Sequence, residues 1–167
     1  MDGYIRWSFA NRGDLDGQWQ MVRTFNPANW TFLERVTPEP IPYYSYGILT
    51  RFLAMHSSVL EIRGGDSRAV AAAVRSPKGN LTIYVLNKSD KAEPVVLRIT
   101  DLTGHPSLHK YQVTEATTGK ADYTMAPLEA YPIQNAQGTI SESLPPRSIS
   151  AYTTYCLNPN DPGVTAD

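Results

Sequence analysis

Leu81-Thr82-Ile83-Tyr84-Val85-Leu86 is the stretch on which the reading of this chain turns. Leu81, Ile83 and Val85 alternate with their neighbours at period two, and β-branched and aromatic residues fill most of the rest, as in a strand with one face in a core. Turn chemistry brackets it, with Ser76-Pro77-Lys78-Gly79-Asn80 before and Asn87-Lys88-Ser89-Asp90 after. Outward from this strand, Val70–Arg75, Val95–Thr100, Lys110–Glu115, Thr139–Leu144 and Ser148–Tyr155 have the same character, and Thr118-Gly119-Lys120 supplies another turn. Val95, Leu97 and Ile99 share one face of their strand, as do Ile149 and Ala151 of theirs. Short strands at such intervals predict an antiparallel β-sandwich over residues 58–156, with Leu81, Ile83, Val85, Leu97, Ile99 and Ile149 inside. Residues 157–167 read as a flexible tail.

The preceding residues differ in composition. All three tryptophans and all four phenylalanines lie before residue 57, and every lysine lies after it, so we read two segments joined near Ser57. Tyr4-Ile5-Arg6-Trp7-Ser8-Phe9 reads as a strand, and Asn11-Arg12-Gly13-Asp14-Leu15-Asp16-Gly17 as a loop. Gln18–Val22 extends briefly, and irregular chain containing Pro27, Pro38, Pro40 and Pro42 follows. A helix is predicted over Tyr43–His56, with Pro42 in its first turn and Tyr44, Ile48, Leu49, Phe52 and Met55 recurring at helical spacing. One strand-loop-helix unit cannot cover both faces of its own strand. Residues 1–57 therefore read as a piece of something larger.

Bulk composition removes most functional classes. At 167 residues, roughly two-thirds of the unfolded surface can be buried without a covalent staple. Hydrophobic residues at 41% and charged residues at 19% fit a folded globular chain. Lys+Arg 15 against Asp+Glu 16 leaves a charge of −1, with no pull toward nucleic acid or an anionic membrane. Cys156 is the sole cysteine, so no internal disulfide forms, and no Cys/His cluster has metal-ligand spacing. No apolar run reaches 18 residues, and Met1–Ala10 lacks the pattern of a signal peptide. No compartment is assigned on these grounds.

Gly3–Phe9 followed by Asn11–Trp19 resembles the eighth strand and following loop of a glycoside hydrolase (β/α)8 barrel. Tyr43–His56 with Ser57-Ser58-Val59-Leu60 is similar to the eighth barrel helix and the exit to a β-domain. Val85-Leu86-Asn87-Lys88-Ser89, then Val96-Leu97-Arg98-Ile99, then Ile140 through Leu144-Pro145-Pro146-Arg147-Ser148-Ile149 resembles the carboxy-terminal sandwich of retaining clan A glycosidases. The resemblance implies the non-catalytic carboxy-terminal portion of a glycoside hydrolase, supporting the barrel and lending one wall to the sugar site. It implies no cofactor and no metal. The clan's acid/base and nucleophile are glutamates on the fourth and seventh barrel strands, both of which would lie upstream of Met1, so no catalytic residue is assigned and the chain alone is expected to be inactive.

The substrate-binding candidates are Trp7, Asn11, Arg12, Asp14, Asp16 and Trp19. Trp7 stands at the strand end that faces a barrel's active site, where its indole either stacks on a pyranose or packs in the core. Asp14 and Asp16 are close in sequence, but two glycosidase carboxyls must face one sugar about 5 Å apart. A sugar-hydroxyl contact or loop hydrogen bonding suits them better, and the echo of a calcium loop lacks its further ligands. Trp19 and Trp30 lean toward packing. Arg12-Gly13-Asp14 is a chance tripeptide, and the sequons at Asn29, Asn80 and Asn87 carry little weight. His56, His105 and His109 form no triad, and Cys156 reads as a small buried hydrophobe.

Two other readings remain. In one the chain is an independent carbohydrate-binding module with Tyr84, Tyr111, Tyr123, Tyr131 or Tyr152 as a stacking platform, and in the other a protein-interaction sandwich. Separated from barrel neighbours, Ile5, Trp7, Phe9, Ile48, Leu49 and Phe52 would expose apolar surface. A homodimer through residues 4–56 is therefore expected, with carbohydrate as the only other partner and neither nucleic acid nor membrane.

Overall fold

The computed structural model describes residues 10–11, 21–26, 28–29, 31–118, 120 and 125–157. The expected strand Tyr4–Phe9 and loop Arg12–Gly17 lie outside the described residues. The chain is mainly β. A first sheet joins β1 (Ala10–Asn11), β2 (Val22–Asn26) and β3 (Thr31–Pro38), with β1 parallel and β3 antiparallel to β2. Helix α1 (Pro40–Arg51) follows. A six-stranded sheet then has the order β4 (Ser58–Leu60), β5 (Ala69–Arg75), β6 (Leu81–Asn87), β11 (Ser148–Thr153), β8 (Ser107–Val113) and β9 (Glu129–Pro132). β7 (Glu93–Ile99) and β10 (Gly138–Leu144) pair as a second layer, and the short α2 (Glu115–Thr118) follows β8. Every pairing from β4 onward is antiparallel.

The two layers share one core, which holds Leu81, Ile83, Val85, Leu108 and Tyr152 from the large sheet and Ile99, Ile140 and Leu144 from the small one. This is the predicted sandwich. Leu97 packs partly buried against the same core. Ile149 does not. The register sets Ile149 opposite Leu86 and Ala151 opposite Tyr84, so both point to the other face of the sheet. There they join Tyr84, Tyr111 and Val113 beneath α1. The sheet is thus covered on both faces, which is why Leu81 to Val85 is buried without interruption.

Helix α1 supplies that second cover. It begins at Pro40 rather than Tyr43, since prolines suit a first turn whose N–H groups have no helical partner. Ile48 and Phe52 are fully buried, and Phe52 lies on the Tyr111 ring at 4.6 Å between centroids. Each such side chain contributes about 1.5–3 kcal/mol on burial. Carbonyls left over at the helix end are met by the sheet, where Tyr84 donates its hydroxyl to Leu49 O at 2.8 Å and Thr82 Oγ1 to Phe52 O at 3.2 Å. This stops the helix at Arg51 instead of His56. His56 then takes a left-handed φ of 60° and redirects the chain into β4.

Three further sequence expectations are corrected. The irregular stretch before the helix contains the hairpin β2–β3. Cys156 is exposed, because β11 ends at Thr153 and the buried position beyond it is taken by Leu157, whose N–H donates to Tyr111 Oη at 2.7 Å. Leu157, expected to open the flexible tail, is packed in place instead. Beyond these corrections, the Leu144–Ser148 turn is a built joint. Asn87, fully buried, donates Nδ2 to Lys91 O (2.9 Å), Pro145 O (2.8 Å) and Leu144 O (3.3 Å), while its Oδ1 accepts from Ser89 N.

Candidate functional site

Of the six predicted sugar-contacting residues, Asn11 alone falls among the described residues; Trp7, Arg12, Asp14, Asp16 and Trp19 lie outside them. Parallel pairing of β1 with β2 sets Asn11 beside Arg23. Arg23 opens onto a shallow cavity of about 480 Å³ on the hairpin, lined also by Asn26, Leu33, Glu34, Arg35 and Thr37. The register places Arg23 opposite Thr37, and alternation along β3 sets Leu33, Arg35 and Thr37 on one face.

The hairpin is anchored where it meets the helix. Arg23 Nε donates to Glu39 Oε1 at 2.5 Å, and Glu39 N donates to Met21 O at 2.8 Å. Met21 and Val22 are buried, which ties the base of the hairpin to the protein. At its tip, Asn29 Oδ1 accepts from Thr31 N and Thr31 Oγ1. Two guanidinium groups, an amide, a carboxylate and a hydroxyl around one depression can hydrogen-bond vicinal hydroxyls. They form no acid/base pair, and no cluster of metal-ligating side chains exists among the described residues.

Sequence reading missed Arg23, Asn26, Glu34, Arg35 and Thr37, although Phe32, Val36 and Thr37 are residues that favour strands. The surrounding prolines masked that signal. The tyrosine platform is corrected, since Tyr84, Tyr111 and Tyr152 are buried and present no face to a ligand. Tyr131 is half-buried against Tyr152, and Tyr123 lies outside the described residues. Burial pushes the Tyr84 and Tyr131 hydroxyls above the ordinary phenol range, and for Tyr131 the hydrogen bond to Glu129 adds to it.

A second depression, about 440 Å³, lies between α1 and the Leu144–Ser148 turn, with Ile41, Ser45, Lys88, Asp90, Glu115 and Arg147 among its lining residues. Arg147 is paired with Asp90, and that hydrogen bond holds the Asp90 carboxyl below its ordinary value.

No family model and no curated protein matches the chain. Solved structures do. The catalytic domain of a glycoside hydrolase family 30 xylanase C from Talaromyces cellulolyticus aligns over 80% of this chain with a TM-score of 0.56 and 17% identity, and the match spans 27% of that chain. The family 30 subfamily 8 xylanase Xyn30A from Clostridium acetobutylicum aligns over 81% with a TM-score of 0.51 and 14% identity, spanning 30% of that chain. The clan A glycosidase resemblance read from the sequence is thus met in the fold: this chain has the architecture of a part, between a quarter and a third, of family 30 xylanases.

Proposed function

We propose that residues 1–167 are the non-catalytic carboxy-terminal portion of a glycoside hydrolase, divided as a terminal barrel unit over residues 1–57 and a supporting sandwich over 58–156. The observation that carries this is the fold match, in which most of this chain corresponds to a minor part of each xylanase. In this arrangement the chain between barrel strand and α1 stands at the barrel's active-site end, since that face is built from strand-to-helix connections. The hairpin with Arg23 and Arg35 then forms one wall of the sugar site, alongside Asn11 and the loop carrying Arg12, Asp14 and Asp16. Exposed Val36, Leu49, Leu53 and Met55 are apolar side chains that further protein would cover. Its substrate is a polysaccharide, and the hydrolytic glutamates are supplied by the remainder of the polypeptide.

The test is hydrolysis of xylan and of aryl xylosides by the complete gene product and by this chain alone. Activity in the former that falls at least tenfold in kcat/KM on Arg23→Ala or Arg35→Ala, with none in the latter, supports the reading. Turnover by residues 1–167 that disappears in Asp14→Asn or Asp16→Asn overturns it.

A further inference from the structure

Helix α1 begins without a capping side chain. Its N-cap is Glu39, with extended backbone at φ −76° and ψ 111°, and the Glu39 side chain makes no capping bond. An N-cap is ordinarily Ser, Thr, Asp or Asn, whose short side chain accepts from an N–H two or three residues on. Here Pro40 and Pro42 carry no N–H, so of the first three helical residues only Ile41 has one to satisfy. The prolines release position 39 from capping, and a longer acid can stand there with its carboxylate turned elsewhere.

It is turned back onto the hairpin. Glu39 Oε1 accepts from Arg23 Nε at 2.5 Å, with the Glu39 side chain 13% exposed and that of Arg23 43%. The Glu39 backbone is held on both sides as well. Its N–H donates to the carbonyl of buried Met21, and its carbonyl accepts from Tyr43 N at 2.9 Å in the first helical turn. Toward the other end of α1, Ile48 and Phe52 are buried against the sheet, and the Tyr84 and Thr82 hydroxyls donate to Leu49 O and Phe52 O. A line of packed contacts thus runs from the sandwich through the helix to one guanidinium that lines the 480 Å³ cavity.

We infer that Glu39 is a positioning residue of the sugar wall, holding the Arg23 guanidinium by its Nε so that the Nη groups meet substrate hydroxyls already oriented. This rests on the proposed function, which places Arg23 in that wall. The guanidinium is a rigid planar fork, so a bond at Nε sets the plane of the other four donors. An arginine left on its long stem would lose rotamer freedom at the moment of binding, and the sugar contact would be weaker by that amount. Fixing the fork beforehand favours the bound ground state and the transition state alike, so it acts on KM and not on kcat. An exposed ion pair contributes little to stability, so holding Arg23 accounts for this acid better than holding the fold does.

Kinetics of the complete gene product on soluble xylan, with Tm measured for every variant, test this. Glu39→Asp is too short to reach Arg23 but keeps an acid at the helix start and can cap Ile41 N–H. Its Tm should stay within about 2 °C of the unaltered protein while KM rises about fivefold at constant kcat. Glu39→Gln keeps the length and an acceptor oxygen, and its KM should lie within about twofold of the unaltered value. Arg23→Ala/Glu39→Ala should be no worse in KM than Arg23→Ala, because Glu39 acts through Arg23. Additive losses in that double variant overturn the inference. So does a Tm that falls in step with KM across the series, which would give Glu39 a structural role only. If Arg23→Ala is impaired and Glu39→Asp is not, the positioning role alone falls. If Arg23→Ala is itself unimpaired, or the complete gene product does not cut xylan, the proposed sugar wall falls with it.

Discussion

Replacing Lys110 with methionine should be the most informative single change in the sandwich. Lys110 reaches from β8 across the core to Glu142 on β10, and Tyr152 donates its hydroxyl to the other oxygen of the same carboxylate. The side chains are 8% and 13% exposed, and Tyr152 is fully buried, so water cannot substitute for a lost partner. Lys110→Met keeps most of the volume but leaves the carboxylate without its counter-charge. Breaking one side of a buried pair costs about 3–5 kcal/mol. In a domain of this size a kcal/mol moves Tm by about 2–4 °C, so a fall of roughly 6–20 °C is expected. The double variant Lys110→Met/Glu142→Leu removes the uncompensated charge and should recover most of the loss, leaving about 1–3 kcal/mol for the orphaned Tyr152 hydroxyl. Adding Tyr152→Phe should bring the chain close to its starting stability, since an apolar replacement of a whole buried pair is near neutral. Urea unfolding followed by far-ultraviolet circular dichroism reads all three. A single variant costing under about 1 kcal/mol, or a triple variant no better than the single, would refute the inter-layer ion pair.

Three further outcomes are expected. Asn87→Ala should cost about 2–4 kcal/mol, because a fully buried amide that donates to three carbonyls and accepts from Ser89 N is lost, and unfolding of Asn87→Ala with the midpoint unchanged would deny that joint its role. Burial holds the His109 imidazole below its ordinary value of 6.5, so the unfolded chain binds the proton more readily than the folded one. Its stability contribution is therefore complete above pH 6.5 and is lost as pH falls through the folded-state value; His109→Gln should flatten that limb of the stability curve, and parallel curves would reject the assignment. The isolated chain should self-associate through residues 4–56, where Leu49 and Leu53 are exposed, and light scattering should show a dimer that Leu49→Asp/Leu53→Asp dissolves; a monomer at high micromolar concentration refutes this.

Much of the sandwich was legible in the sequence because alternation is a local property. Leu81, Ile83 and Val85 declare an inward face whatever they pair with, and the turns at 76–80 and 87–90 close each strand with their own chemistry. The hairpin under the candidate site was hidden for the same reason. Between Pro27 and Pro42 the local signals argue against regular structure, and β3 exists because β2 lies beside it to accept its hydrogen bonds. Asn11 could be singled out from its loop composition, but its neighbour Arg23 could not, since parallel pairing joins residues with no pattern in common.

The sequence by itself determined six strands of the sandwich, β5, β6, β7, β8, β10 and β11, that a helix precedes them, and which side of most of them is apolar. Only the tertiary structure decided which apolar side faces which layer. Ile149 and Ile83 alternate identically, yet pairing opposite Leu86 sends Ile149 beneath the helix while Ile83 enters the sandwich. Tyr84, Tyr111 and Tyr152 read as a surface platform until α1 and the second layer cover them, and Cys156 read as buried until Leu157 took the inner place. Alternation fixes two faces but not what covers them; that depends on register and on contacts between residues far apart in the chain, which no local pattern encodes.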